Sequence, residues 1–385
     1  MTQEPYGVYV HIPWCRSRCP YCAFNVRVDP AAPYAAYIDA LIRQWEALSP
    51  RFPGRPDTIF LGGGTPSLTP APELARLLRA LQPRPGAEIT LEANPGTLAP
   101  PMLEAALEAG VNRISVGVQT FEPRLARLLN RGHTVRQSEV LMQRVRAAGF
   151  RSWSLDLIFA VPGQSLDDLA RDIDRALALE PPHLSVYGLT AEPGTPYTRA
   201  VESGRLTPPD EETWEAMYCL LETRLTAGGL ERYEVSNFAR PGQRCRHNEH
   251  YFRGRRYAGL GAGAHGWTAD GERLVGALDP ADFTAAPLDW ESRERPRGRE
   301  EALELVLSTL RHVDGVPVNG LKRLGYWIDA SAVDALINDA LLSVTPTAIQ
   351  LRGRGWRVAD GVLRTLCDAL TDSANLVEPR LTRSS

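Results

Sequence analysis

The chain has 385 residues, with 43 Lys+Arg against 46 Asp+Glu and a formal charge of −3. A composition of 43% hydrophobic and 23% charged residues is that of a folded globular protein, long enough to build a core without disulfides or a structural metal. The near-neutral charge argues against non-specific nucleic-acid or anionic-membrane binding as the main activity, and the lack of an apolar run of about 18 residues or of a basic-then-apolar leader at Met1–Tyr9 points to the cytoplasm.

Up to about residue 190, strand-like runs alternate with helix-like ones. Predicted strands are Val8–Ile12, Thr58–Leu61, Glu88–Ala93, Arg113–Val118, Trp153–Phe159 and His183–Leu189, rich in β-branched residues and bounded by Gly, Pro or Asn. Between them fall helices at Tyr34–Leu48, Glu73–Leu81, Met102–Ala109, Arg136–Ala148 and Leu166–Leu179. In the first of these, Tyr34, Tyr37, Ile38, Leu41, Ile42 and Trp45 make one apolar face. Six βα units wind a parallel sheet in one direction. An open barrel and a doubly wound sheet both fit, and the missing dinucleotide fingerprint after the first strand favours the barrel.

After Tyr197 the rhythm changes. Glu211–Ala227 reads as a helix, Tyr233–Ala239 as a short strand and Arg244–Gly266 as a loop dense in Gly, His and aromatics. Asp270–Gly298, rich in Pro, Asp and Arg, suggests a linker. Helical patterning resumes at Glu300, with turns at Asp314-Gly315 and Arg352–Gly355. The expected organisation is a barrel core over 1–200, an extension and linker over 201–298, a smaller, mainly helical domain with a β-wing over 299–372, and a frayed tail over 373–385.

Polar and glycine-rich residues gather at the carboxyl ends of the strands: His11-Ile-Pro13, Gly62-Gly-Gly-Thr-Pro66, Glu92-Ala-Asn-Pro95, Gln119-Thr120 and Asp156. In barrels of this kind that rim carries the active site. Lys322, the sole lysine, follows none of these glycines, which excludes a Walker-type phosphate loop. It also lies far from every motif, which disfavours Schiff-base chemistry.

Three of the six cysteines, Cys15, Cys19 and Cys22, fall in a C-x3-C-x2-C pattern just after the first strand. In a cytosolic chain such a cluster binds metal or does redox chemistry rather than forming disulfides. A 4Fe–4S cubane on three thiolates would keep one iron open for chemistry. Zinc, which takes four ligands, would need His11 to complete the set. Cys219 and Cys367 read as buried hydrophobes.

With the residues around it, the cysteine loop becomes specific. Tyr9-Val-His-Ile-Pro-Trp-Cys15 followed by Cys19 and Cys22 resembles the cluster loop of the radical S-adenosylmethionine (SAM) superfamily. Leu61-Gly-Gly-Gly-Thr-Pro-Ser67, Glu92-Ala-Asn-Pro-Gly96, Val116-Gly-Val-Gln-Thr-Phe121, Leu129-Asn-Arg-Gly-His133, Asp156-Leu-Ile, Pro162-Gly-Gln, Tyr233–Ala239 and Cys245-Arg-His-Asn248 resemble, in order, the oxygen-independent coproporphyrinogen III oxidase-like branch. The resemblance implies an α/β fold, a partial (β/α)6 barrel with a smaller C-terminal, mainly helical domain. It implies a 4Fe–4S cluster on Cys15, Cys19 and Cys22, with SAM chelated at the open iron and cleaved by one electron to methionine and a 5′-deoxyadenosyl radical. Tyr9 and Tyr21 then lie beside the cofactor, Gly63, Gly64 and Thr65 admit its methionyl end, and Glu92, Gln119, Arg131 and Asp156 match polar SAM-contacting positions.

Two functions divide this branch. The oxidases convert two propionates of coproporphyrinogen III to vinyls, whereas HemW-type relatives bind haem and pass it to acceptor proteins such as respiratory enzymes. Three features resemble the second group. Phe24 stands where the oxidases carry a fourth cysteine, only eight residues precede Tyr9, and Arg246-His-Asn-Glu-His-Tyr-Phe252 resembles a His-Asn-x-x-Tyr-Trp segment, with Phe252 for the Trp. Ala23 replaces a common Asp after the third cysteine. His is the commonest haem axial ligand, so His247 and His250 are the candidate haem residues. Tyr251 and Phe252 would flank the macrocycle, and Arg244, Arg246, Arg253, Arg255 and Arg256 would meet propionates. Gly259, Gly261 and Gly263 offer close backbone approach. The expected partners are haem, acceptor proteins and an electron donor, without nucleic acid, in the cytoplasm or peripherally on a membrane. His183 and His312 read as structural, and no chemistry is assigned to His133 or His265.

Overall fold

The computed structural model describes residues 4–372; the tail expected at 373–385 lies outside them. The chain divides into two compact units. The first comprises Met1–Glu231, Ser236–His247 and Arg256–Glu294, and the second Arg232–Val235, Asn248–Arg255 and Arg295–Ser385.

In the first unit, β1 (Gly7–Ile12), β2 (Thr58–Gly63), β3 (Glu88–Ala93), β4 (Arg113–Gln119), β5 (Ser152–Phe159) and β6 (His183–Gly188) lie side by side in chain order, all parallel. The crossovers carry α1 (Tyr34–Leu48), α2 (Ala71–Leu81), α3 (Pro100–Glu108), α4 (Pro123–Leu128), α5 (Val135–Ala147) and α6 (Leu166–Ala178). This is a partial (β/α)6 barrel. Its ends do not join: β6 is flanked by the antiparallel β7 (Asn237–Ala239), and β1 by a further parallel strand, β8 (Tyr257–Leu260).

Each strand and helix expected in this stretch lies within two residues of its predicted limits. Two of the shifts share a cause. Helices α2 and α3 begin earlier because Pro72, Pro100 and Pro101 sit in their first turns, where a missing N–H costs nothing. Capping boxes at Thr134/Gln137 and Ser165/Asp168 fix the starts of α5 and α6.

Side chains alternate strictly across the strands. Val8, Val10, Ile12, Ile59, Leu61, Leu91, Ile114, Val116, Leu155, Leu157 and Leu184 are buried with the inner faces of the helices in one continuous core. Burying each such side chain contributes roughly 1.5–3 kcal/mol relative to leaving it in water. The intervening positions carry Tyr9, His11, Thr58, Glu92, Arg113, Ser115, Asp156 and Ser185, so the opposite face is a polar lumen.

Two segments differ from the expectation. Arg244–Gly266 is not a loop but carries α7 (Arg246–Phe252), β8 and β9 (His265–Trp267). Its glycines serve packing: a Cβ on Gly259 would stand 1.9 Å from the carbonyl oxygen of His265, and one on Gly261, at φ +107°, 2.6 Å from that of His11. Asp270–Gly298 is likewise no linker. It forms β10 (Arg273–Gly276) and β11 (Trp290–Glu294), antiparallel additions to the sheet. These strands are half exposed and short, so their periodicity is weak; Arg51 pins them through Asp270 (2.6 Å) and Glu272 (2.7 Å).

The second unit, over its described residues, packs helices Arg299–Thr309, Val318–Leu324, Ala330–Asn338 and Ala359–Asp368 around Val306, Leu310, Leu321, Leu363 and Leu366. An antiparallel hairpin of Leu342–Val344 and Ala348–Leu351 extends to Val316–Pro317, and Tyr326–Ile328 pairs with Leu370–Asp372. No described helix is long and apolar enough to cross a membrane.

Candidate functional site

The cysteine loop leaves β1 at its carboxyl end and is tied to the neighbouring rim segments. Gly64 and Thr65 donate their N–H groups to the carbonyls of Ile12 and Trp14, both at 2.8 Å. Arg16 donates to Gly96 O (2.6 Å), and Tyr197 N–H to Pro20 O (2.9 Å). A Cβ on Gly64 would lie 2.7 Å from Trp14 O, so only glycine permits this approach; Gly63 takes φ +111°. The three thiols are partly exposed and free of disulfides, while Cys245 is fully buried and Cys219 and Cys367 are half-buried rather than core residues.

Two donors face the cysteine sulfurs. Thr65 Oγ1 donates to Cys15 Sγ at 3.5 Å, and Arg131 Nη1 to Cys19 Sγ at 3.4 Å. Arg131 also bonds Tyr21 Oη (3.3 Å), Gly117 O (2.7 Å) and Asn94 Oδ1. Its Nε is buried without a partner, as is Nε2 of His133, and both residues line a small pocket with Cys19, Thr65 and Asn94. The donor set suits an iron–sulfur group: soft thiolates, hydrogen-bond donors directed at sulfur, and space beside them.

His11 does not join the thiols. Its Nδ1 lies 3.0 Å from Tyr9 Oη and its Nε2 2.8 Å from Asn25 O, so neither nitrogen is available as a fourth ligand. Among the described residues, no group of three or more Cys, His, Asp or Glu side chains is gathered around a single ion's position; a cubane would take its thiolates at separate corners. Burial pushes the Cys15 and Cys22 thiols up, opposed at Cys15 by Thr65 and at Cys22 by the backbone at Phe24. Loading a metal must therefore release those protons.

Above the lumen, Tyr9, Gly63, Gly64, Thr65, Glu92, Gln119, Arg131 and Asp156 all belong to the same end of the sheet. Glu92 accepts from Gly63 N–H (3.3 Å), and Asp156 from Ser115 (3.3 Å). Part of each carboxylate is accessible, but the surrounding walls dominate. Burial, reinforced by Asp156, pushes Glu92 up to about 8, and burial pushes Asp156 up to about 6 against its bonds to Ser185 and Ser115. The shift favours the neutral form of Glu92, able to donate as well as accept. Gln119 sits at φ +70° after a bulge in β4, and a Cβ on Gly117 would crowd Gln119 (2.9 Å), Asn94 (3.1 Å) and Arg131 (3.2 Å). Glycine at 117 lets those three side chains meet. Tyr21 packs on Leu125, Leu129, Ile158 and Val161.

The candidate haem residues are elsewhere. His247 is fully buried, with Nδ1 2.7 Å from Thr58 Oγ1, its ring stacked on Phe60 and its N–H donating to Glu88 (3.1 Å). Gly7, Thr58 and Glu88 begin their strands, so His247 plugs the amino-terminal end of the lumen. His250 is also buried. Neither imidazole presents a nitrogen to solvent. Arg246 is committed to Asp57 (2.6 Å), Arg253 to Glu249 and Asp314, and Arg256 to the Trp267 ring. Phe24, by contrast, is 67% exposed on the cysteine loop.

Asn94 has no role that its motif alone reveals, and its position directly after β3 is the signal for one. Arg113 escaped notice as well; it is buried in the lumen beneath both carboxylates, lowering each.

Residues 9–176 match the radical SAM superfamily profile. The chain is 35% identical over 379 residues to the haem chaperone HemW of Mycobacterium tuberculosis H37Rv, covering 95% of this chain and 96% of the relative. It is 39% identical over 323 residues to HemW of Escherichia coli K12 (81% and 84%) and 40% over 276 residues to that of Bacillus subtilis 168 (70% and 72%). Among solved structures, coproporphyrinogen III oxidase from Escherichia coli superposes with a TM-score of 0.81 at 22% identity, over 95% of this chain and 90% of that one. At that identity the likeness is one of fold.

Proposed function

The chain belongs to the radical SAM superfamily, in the haem chaperone HemW branch of the coproporphyrinogen III oxidase-like proteins, and from this we propose that it is a cytoplasmic haem carrier that delivers haem to acceptor proteins. Cys15, Cys19 and Cys22 would hold a 4Fe–4S cluster, and the rim residues would hold SAM. A cluster of this class supplies single electrons from an external donor to a bound sulfonium.

The chain's own residues supply the rest. Arg131 and Thr65 offer charge-assisted and neutral hydrogen bonds to the thiolates. Gly63 and Gly64 let an amino-acid ligand approach the backbone. Glu92, whose carboxyl burial pushes towards its neutral form, offers a proton from its carboxyl oxygen, while Asp156, raised less, accepts hydroxyls.

One observation carries the carrier reading over the oxidase reading. The position that would bear a fourth cysteine holds an exposed Phe24, so the loop ends in an apolar surface and not in another thiol. His247 and His250 stay the candidates for iron ligation; with both buried, either serves only if α7 leaves its seat.

The test is anaerobic reconstitution followed by haem titration and an assay with coproporphyrinogen III. Stoichiometric haem binding, transfer to an apo-acceptor and no decarboxylation are expected. Decarboxylation without haem binding would instead establish the oxidase.

A further inference from the structure

We propose that Asn94 is a positioning residue that sets the redox potential of the cluster by orienting the two donors that face its thiolates. The inference rests on the reading above that the three cysteines hold a cluster. Asn94 stands between those donors. Its Oδ1 accepts from Arg131 Nη2, whose other arm, Nη1, reaches Cys19 Sγ at 3.4 Å. Its Nδ2 donates to Thr65 Oγ1 at 3.0 Å.

The polarity of that second bond matters. Because the amide fills an acceptor site on the Thr65 oxygen, the hydroxyl proton is left for Cys15 Sγ, 3.5 Å away. Arginine can only donate, which fixes the amide orientation: its oxygen must face Arg131 and its nitrogen Thr65. One side chain therefore polarises hydrogen bonds to two different thiolates. Hydrogen bonds to sulfur stabilise the more negative, reduced cluster and raise its potential. Backbone bonds to Thr97 hold Asn94 in place: its N–H donates to Thr97 Oγ1 (3.2 Å) and its carbonyl accepts from it (2.9 Å).

The experiment is an anaerobic, EPR-monitored redox titration of the reconstituted full chain without SAM, for wild type, Asn94→Leu, Thr65→Val and the double variant, with iron and sulfide measured in each. At full iron loading, Asn94→Leu and Thr65→Val should each shift the midpoint to more negative values. The double variant should shift by less than their sum, because the amide acts partly through the hydroxyl. An unchanged midpoint in Asn94→Leu, additive shifts, or a folded Asn94→Leu that takes up no iron while wild type does would each overturn the proposal, the last by making Asn94 a builder of the site. Wild type that takes up no iron would overturn the cluster reading itself, a separate failure.

Discussion

His247 Nδ1 and Thr58 Oγ1 are 2.7 Å apart at the amino-terminal end of the sheet, while the cysteine loop leaves β1 at the other end. The length of β1, roughly 17 Å at 3.3 Å per residue, separates the two. His247→Ala removes a buried hydrogen bond and opens a cavity, so it should lower the unfolding free energy by about 2 kcal/mol in urea titrations. With the fold intact, loss of a ligating imidazole should also weaken haem binding by about tenfold, roughly 1.4 kcal/mol. Haem affinity equal to that of wild type would remove His247 from the candidates.

Each single Cys→Ala change at 15, 19 or 22 should abolish the cluster, because a cubane on three thiolates has no spare protein ligand. Iron and acid-labile sulfide are the measurements, and Cys245→Ala is the control. Its sulfur is buried against Glu88 at 3.5 Å, and it should leave iron content unchanged.

Glu92 makes stability depend on pH. Its folded pKa, about 8, lies above its ordinary 4.5. Between those values the folded state holds a proton that the unfolded chain has released, so this carboxyl's contribution is full below pH 4.5 and is lost as pH rises towards 8. Glu92→Gln keeps an acceptor for Gly63 N–H and removes the ionisation. Its thermal midpoint should match wild type near pH 5 and exceed it near pH 8, where the stability gained is on the order of 1–4 kcal/mol. Equal midpoints across that range would contradict a raised pKa.

Gly64→Ala would press a methyl group against Trp14 O, a backbone atom already bonded to Thr65 N–H. The loop must shift, at a cost of about 1–3 kcal/mol. SAM affinity, read by equilibrium dialysis of the reconstituted protein, should fall by about tenfold or more. Gly86→Ala, where a Cβ meets nothing within 4 Å but φ is +76°, controls for backbone strain alone.

The barrel was legible because its strands carry Val, Ile and Leu on every second residue, and burying that face leaves little choice of register. The cysteine trio was legible from spacing. Less so was Asn94, whose partner Arg131 lies 37 positions away and reaches it only across two strand ends. The seat of His247 was hidden for a related reason. An imidazole beside aromatics and arginines has the chemistry of a haem ligand, and the sequence does not say that Phe60, on β2, already stacks on it at 5.2 Å. The glycines at 259 and 261 pointed to a ligand, yet what approaches them is the chain itself.

Strand β8 pairs with β1 from Gly7↔Tyr257 to Val10↔Leu260, across some 250 positions of sequence. The strand that leads into the thiol loop therefore emerges from the ribosome early but gains its second flank only once residue 260 has been made, and such distant pairings form late. During synthesis the cysteines would stay reachable by whatever inserts iron and sulfide, and the seam that locks their strand would close afterwards.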